Sequence, residues 1–104
     1  MALRSSPTAR SGPLTVSWMP VPSWSRPLVA FAIGKRVGTA VVRNRLRRRL
    51  KEALRLDAPL PAGAYLVRAQ PGAVALDFRS LQQHLRRARA SVTAKSSGRA
   101  AEVS

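Results

Sequence analysis

A chain of 104 residues has room for one compact domain, and 45% hydrophobic content is enough to build its core. Lys and Arg number 19 against four acids, and the net charge of +15 is a self-repulsion that a polyanion would relieve, which makes nucleic acid the expected partner. The absence of cysteine excludes disulfides, thiolate chemistry and Cys-based zinc sites, and the longest apolar run, Leu28 to Ile33, is far short of the ~20 residues that span a bilayer.

The opening MALRSSPTARSGP is rich in Arg and Ser and free of acids, the composition of a transit peptide, but it lacks an amphipathic apolar face. Residues 1–12 are therefore expected to be a poorly ordered or truncated N-terminus, followed by a single domain over 13–90. Leu14, Val16 and Trp18 alternate with Thr15 and Ser17, the period of a half-buried strand. Pro20, Pro22 and Pro27 lack backbone donors, so this stretch is a connection, expected to close a long hairpin. Leu28 to Ile33 is apolar on both faces and reads as a central strand.

Gly34 and Gly38 bracket Lys35, Arg36 and Val37 in a turn. Thr39 is the expected N-cap of a helix from Ala40 to Leu56, a run free of Gly and Pro and rich in Arg, Leu, Ala, Lys and Glu. Asp57 to Gly63 stops it, Ala64 to Ala69 reads as a strand, and Asp77 can cap a last helix carrying Phe78, Leu81, Leu85 and Ala88 on one stripe. The tail 91–104 is small, polar and aperiodic and is expected to be disordered.

Rotating about 100° per residue, the long helix gathers Val42, Leu46, Leu50, Ala53 and Leu54 on one stripe and Asn44, Arg47, Arg48, Lys51 and Arg55 on the opposite face. Lys35, Arg36, Arg43, Arg45, Arg47, Arg48, Arg49, Lys51 and Arg55 face Glu52 alone within this stretch. A merely solubilising face mixes signs, because like charges four residues apart destabilise a helix; here Arg43, Arg47 and Lys51 repeat at that spacing. Arginine predominates, and its planar fork binds phosphate with two hydrogen bonds and stacks on exposed bases, both of which folded RNA offers. Asn44 amid this charge suits a ribose hydroxyl or a base edge, or is an ordinary exposed amide. A membrane-surface role would need a wide apolar face that this helix spends on its core.

Metal-dependent cleavage needs carboxylates converging on a cation. Glu52, Asp57, Asp77 and Glu102 are the only acids, Glu52 and Asp57 lie about 140° apart around a helix, and Asp77 is better explained as a cap. With His84 as the single histidine, no His pair for acid–base chemistry exists. No catalytic residue and no metal site is expected on the protein.

Phe31 to Leu56, FAIGKRVGTAVVRNRLRRRLKEALRL, resembles the signature region of the bacterial ribonuclease P protein. RSGPLTVSW resembles that family's first strand, GAYLVRA the strand after the helix, and FRSLQQHLRRARA its closing helix. The resemblance implies an α/β (α+β) two-layer sandwich, ribosomal protein S5 domain 2-like, with a small mixed sheet of three to four strands and a long basic helix in a left-handed βαβ crossover. It implies a protein subunit of a cytoplasmic endoribonuclease whose chemistry is carried by an RNA subunit and Mg2+, one protein per catalytic RNA, with precursor tRNA as substrate and neither DNA nor membrane as partner.

Arg43, Asn44 and Arg45 match the family's RNR motif and, with Lys35, Arg36, Arg47, Arg48 and Lys51, are the implied contacts to the catalytic RNA. A cleft between sheet and helices would hold the single-stranded 5′ leader, for which Thr15, Ser17, Thr39 and Arg68 are the candidates. Trp18 and Tyr65 either stack on bases or belong to the core. The family's usual first helix has no counterpart in Met1 to Thr8, and Thr39 replaces a frequent Asn. A ribosomal or other structural RNA-binding protein is the alternative, with a DNA-binding helix behind it.

Overall fold

The computed structural model describes residues 7–103, with side-chain positions as far as Ala94. Four strands, β1 (Thr8–Ser11), β2 (Leu14–Met19), β3 (Pro27–Ile33) and β4 (Gly63–Ala69), form one sheet in the order β1-β2-β4-β3. Helix α1 (Ala40–Arg55) joins β3 to β4, and helix α2 (Phe78–Val103) follows β4. Strand β2 runs antiparallel to both its neighbours, β1 and β4, whereas β3 and β4 run parallel, making a mixed sheet.

Alternation along the strands decides which side is covered. Leu14, Val16, Ile33, Tyr65, Val67 and Ala69 point to one face and are buried against Leu46, Leu50 and Ala53 of α1 and Leu81, Leu85, Ala88 and Val92 of α2. Both helices thus lie on one side of the sheet in a two-layer α+β sandwich with a single core. Trp18 and Tyr65 belong to this packing: their rings are 6.2 Å apart, Tyr65 is 3% exposed, and its hydroxyl donates to the Pro61 carbonyl at 2.7 Å. Burial pushes the Tyr65 phenol pKa up, against a smaller opposing pull from Arg89.

Four expectations are corrected. Of the segment 1–12, residues 1–6 lie outside the described ones, but Thr8–Ser11 is a strand that pairs with Leu14–Ser17 across a tight turn in which Gly12 takes φ +56°. The tail is not disordered over 91–103, because α2 continues to Val103, residue 104 lying outside the described ones; Val92 is fully buried and the Thr93 hydroxyl donates back to the Arg89 carbonyl. The prolines of 20–27 do not close a hairpin: β2 and β3 never pair, and β4 lies between them. Strand β3 is not central but an edge, and Leu28, Ala30 and Ala32 face outward.

Helix α1 begins where the sequence indicates. Thr39 is extended, and its hydroxyl accepts from the Val42 amide at 3.3 Å, satisfying one of the donors that a helix start leaves open. The far end of α1 is tied to α2 by Arg89, which donates to the carbonyls of Ala58 at 2.6 Å and Pro59 at 3.2 Å and pairs with Asp57 at 3.4 Å. The second strand-to-helix connection is a 3-10 turn, Pro71–Ala75, whose Ala73 is buried.

Candidate nucleic-acid interface

Burial of Leu46, Leu50 and Ala53 turns the opposite side of α1 to solvent, and Asn44, Arg45, Arg48, Lys51 and Arg55 are all exposed there. The basic residues divide by what already holds them. Arg43 donates through Nε to the Gly38 carbonyl at 3.2 Å, and Arg49 donates through Nη2 to the Leu76 carbonyl at 2.7 Å, so both are half-buried ties between α1 and its neighbours. Arg47 donates to Asn44 Oδ1, and Arg55 pairs with Glu52, whose carboxyl is held below its usual range by that bond. Among the described residues, no hydrogen bond or ion pair engages Arg45, Arg48 or Lys51.

Lys35 and Arg36 sit in a 3-10 turn, Lys35–Val37, immediately before the capped start of α1, and both are exposed. Arg36 borders a recess with Gly34, Val37, Ala69, Gln70 and Pro71, at the end of the sheet where β3 and β4 finish. Uncompensated charge therefore runs from this turn along α1. The described carboxylates are engaged elsewhere: Glu52 is on Arg55, Asp57 on Arg86 and Arg89, and Asp77 on the Ser80 amide at 2.8 Å.

The leader candidates are distributed differently from the expected cleft. The space between sheet and helices is filled by the core, so Thr15 and Arg68 lie on the opposite, open face of the sheet, where register sets them side by side. Arg10 stands on the other side of Thr15, giving a row Arg10, Thr15, Arg68, Ala32 across all four strands. Ser17 shares that face but is 7% exposed and hydrogen-bonds Thr8 at 3.0 Å, so its hydroxyl is not offered to a ligand. Thr39 belongs to a different element, with its hydroxyl engaged as the α1 cap. Arg10 escapes a sequence reading because β1 is too short and polar to announce itself.

Asp77 caps α2, and the Ser80 amide holds its carboxyl below the usual range, helped by the Ser80 hydroxyl and by Arg79 and Arg49. His84 packs over Gly12, with Nδ1 2.8 Å from the Ser11 hydroxyl, and fixes the β1–β2 turn to α2. Among the described residues there is no group of three or more His, Cys, Asp or Glu that could hold a metal ion, and no helix long and apolar enough to cross a membrane.

Comparison with known proteins agrees with this architecture. The profile of the Ribonuclease P family matches residues 2–93. A ribonuclease P protein component from Thermus oshimai is 42% identical over 86 residues, covering 83% of this chain and 54% of its own length. One from Thermobifida fusca is 46% identical over 69 residues, covering 64% of this chain and 47% of its own. The chain thus spans about half the length of these curated relatives. Among solved structures, the RNase P protein of Staphylococcus aureus superimposes with a TM-score of 0.74 at 17% identity, over 82% of this chain and 79% of that one. That of Thermotoga maritima gives 0.71 at 15% identity, over 81% of each. At such identities the structural likeness speaks for the fold, and the profile and the sequence relatives carry the assignment: the chain belongs to the ribonuclease P protein component family.

Proposed function

We propose that this chain is the non-catalytic protein subunit of ribonuclease P, binding the catalytic RNA and the 5′ leader of precursor tRNA while the RNA removes the leader with Mg2+. The observation that carries this reading is the unneutralised series of Lys35 and Arg36 on the turn before α1 and Arg45, Arg48 and Lys51 on α1, whose other side is spent on the core. A rigid helix holding guanidinium groups at fixed spacing suits phosphates that converge in a compact RNA. Arg43, Asn44 and Arg47 complete the implied contact set; Arg43 and Arg47 are already oriented by their bonds to Gly38 and Asn44. On the open sheet face, Thr15, Arg68 and Arg10 would receive the single-stranded leader, with phosphate on the arginines.

The protein's contribution is electrostatic: it lowers the repulsion between two polyanions, so its effect is largest when salt and Mg2+ are low. One protein per RNA, in the cytoplasm, is part of the same reading. The test is cleavage of a precursor tRNA by the cognate catalytic RNA at low Mg2+, with the wild-type chain and with Arg45 and Arg48 both changed to Ala. Stimulation by the wild type that the double variant loses is the expected result. A cleavage rate indifferent to the wild-type protein overturns the proposal.

A further inference from the structure

Two exposed valines border the basic surface of α1, and solvation of a charged helix does not account for them. Val41 is 68% exposed on the second residue of α1, and Val74 is 40% exposed on the 3-10 turn after β4. Each lines an open recess beside the helix. One, of about 270 Å³, is bounded by Val41, Arg45, Arg48 and Arg49; the other, of about 180 Å³, by Val42, Arg45, Leu46, Arg49 and Val74. Arg45 and Arg49 are common to both.

The two shared arginines differ in a useful way. Arg49 is pinned by its 2.7 Å bond to the Leu76 carbonyl, so its guanidinium is oriented before any ligand arrives. Arg45 has no partner among the described residues and is free to follow a charged group. An apolar lining, a fixed guanidinium and mobile positive charge at the rim match the parts of a nucleotide: ring faces that stack on Arg or rest on aliphatic carbon, and a phosphate that takes a charge-assisted bond. A free anion or an acidic peptide would use the arginines and leave the valines idle. A cavity of about 150 Å³ holds benzene, so the smaller recess admits a six-membered ring.

We propose that the recess between α1 and the Pro71–Ala75 turn holds an unstacked nucleobase of the catalytic RNA, its ring against Val42, Val74 and Arg49, while its sugar-phosphate runs over the adjoining recess on α1, past Val41, onto Arg45 and Arg48. This rests on the reading of α1 as the RNA-facing helix and adds a base contact to what is otherwise backbone recognition. Such a contact favours a bulged or looped nucleotide over a continuous duplex, whose bases are not available to splay outward.

The test compares binding of ribonuclease P RNA and of an unrelated folded RNA of equal length across a salt series. The proteins are the wild type, a Val41→Thr/Val74→Thr variant that keeps shape and charge, and Arg45→Ala. The threonine variant is expected to lose about fourfold or more in affinity for ribonuclease P RNA with an unchanged salt slope, whereas Arg45→Ala lowers the slope by about one. Val74→Ala, at an exposed position of the 3-10 turn, repeats the comparison with little risk to folding. Valine variants that bind ribonuclease P RNA as tightly as the wild type overturn the recess alone. A wild type that does not distinguish the two RNAs overturns the functional reading beneath it.

Discussion

The guanidinium of Arg47 donates to the side-chain oxygen of Asn44 at 2.6 Å, one turn earlier on α1. The bond uses the amide's acceptor and leaves its NH2 free, while it immobilises a long side chain that would otherwise lose rotamer freedom on meeting RNA. Asn44→Ala removes this restraint without changing charge. The expected loss is about 0.5–1.5 kcal/mol of binding free energy for the catalytic RNA, with the salt slope unaltered. A change in slope would show that Asn44 organises more than one cation.

Among the arginines on α1, Arg43 and Arg49 are held by backbone carbonyls and Arg45 and Arg48 by no described residue, and these two pairs are expected to fail differently. Arg49→Ala leaves the Leu76 carbonyl without its partner and is expected to cost roughly 1–3 kcal/mol of stability. Arg48→Ala, at an exposed and unpartnered position, is expected to change stability by no more than about 0.5 kcal/mol while lowering the salt slope for RNA binding by about one. Urea denaturation beside salt-dependent binding measures both, and equal stability losses would refute the division.

Arg89 is a structural cation in a chain crowded with cations that have no such work. Its side chain is 12% exposed and closes the α1–β4 connection onto α2 through Asp57, Ala58 and Pro59. Replacing it with Ala removes the donor to two carbonyls and leaves Asp57 with the more exposed Arg86. A loss of roughly 1–3 kcal/mol is expected, read as a lower melting temperature; RNA affinity per folded molecule should change little. Arg86→Ala, more than half exposed, is the control and should be nearly silent.

How far the sequence carries depends on how local each signal is. The bounds and faces of α1, its Thr39 cap and the Asp77 cap are set by residues within a few positions of one another, and each was readable from spacing alone. Strand pairing is non-local. Leu28, Ala30 and Ala32 look like one covered face of a central strand, yet β4 takes the central place and leaves them on an edge. β1 offers only Ala9 to the core, too little apolar signal to distinguish it from a polar terminus. Beyond Ala90, small and polar residues hid a helix that Val92 anchors in the core. On the interface, composition revealed the charge of α1 but not which arginines are tied to Gly38 and Leu76, because those carbonyls reach α1 only through the turns. The same turns bring Val74 beside Arg45 and Arg49, a juxtaposition with no periodicity to betray it.

Asp77 makes the start of α2 sensitive to acid. Its carboxylate accepts from the Ser80 amide at 2.8 Å, and that bond, with the Ser80 hydroxyl and the nearby Arg79 and Arg49, holds its pKa below the ordinary carboxylate range in the folded chain. A group whose folded pKa is depressed contributes stability that is complete above its unfolded pKa and is lost as pH falls through the folded one. The wild type is therefore expected to lose stability on acidification below the usual Asp pKa of about 3.9. Asp77→Asn keeps an oxygen acceptor for the Ser80 amide but cannot titrate. Urea denaturation at neutral pH and at successively lower pH should show the gap between wild type and Asp77→Asn narrowing as pH falls. A gap that stays constant would mean that the cap's charge adds nothing to the hydrogen bond.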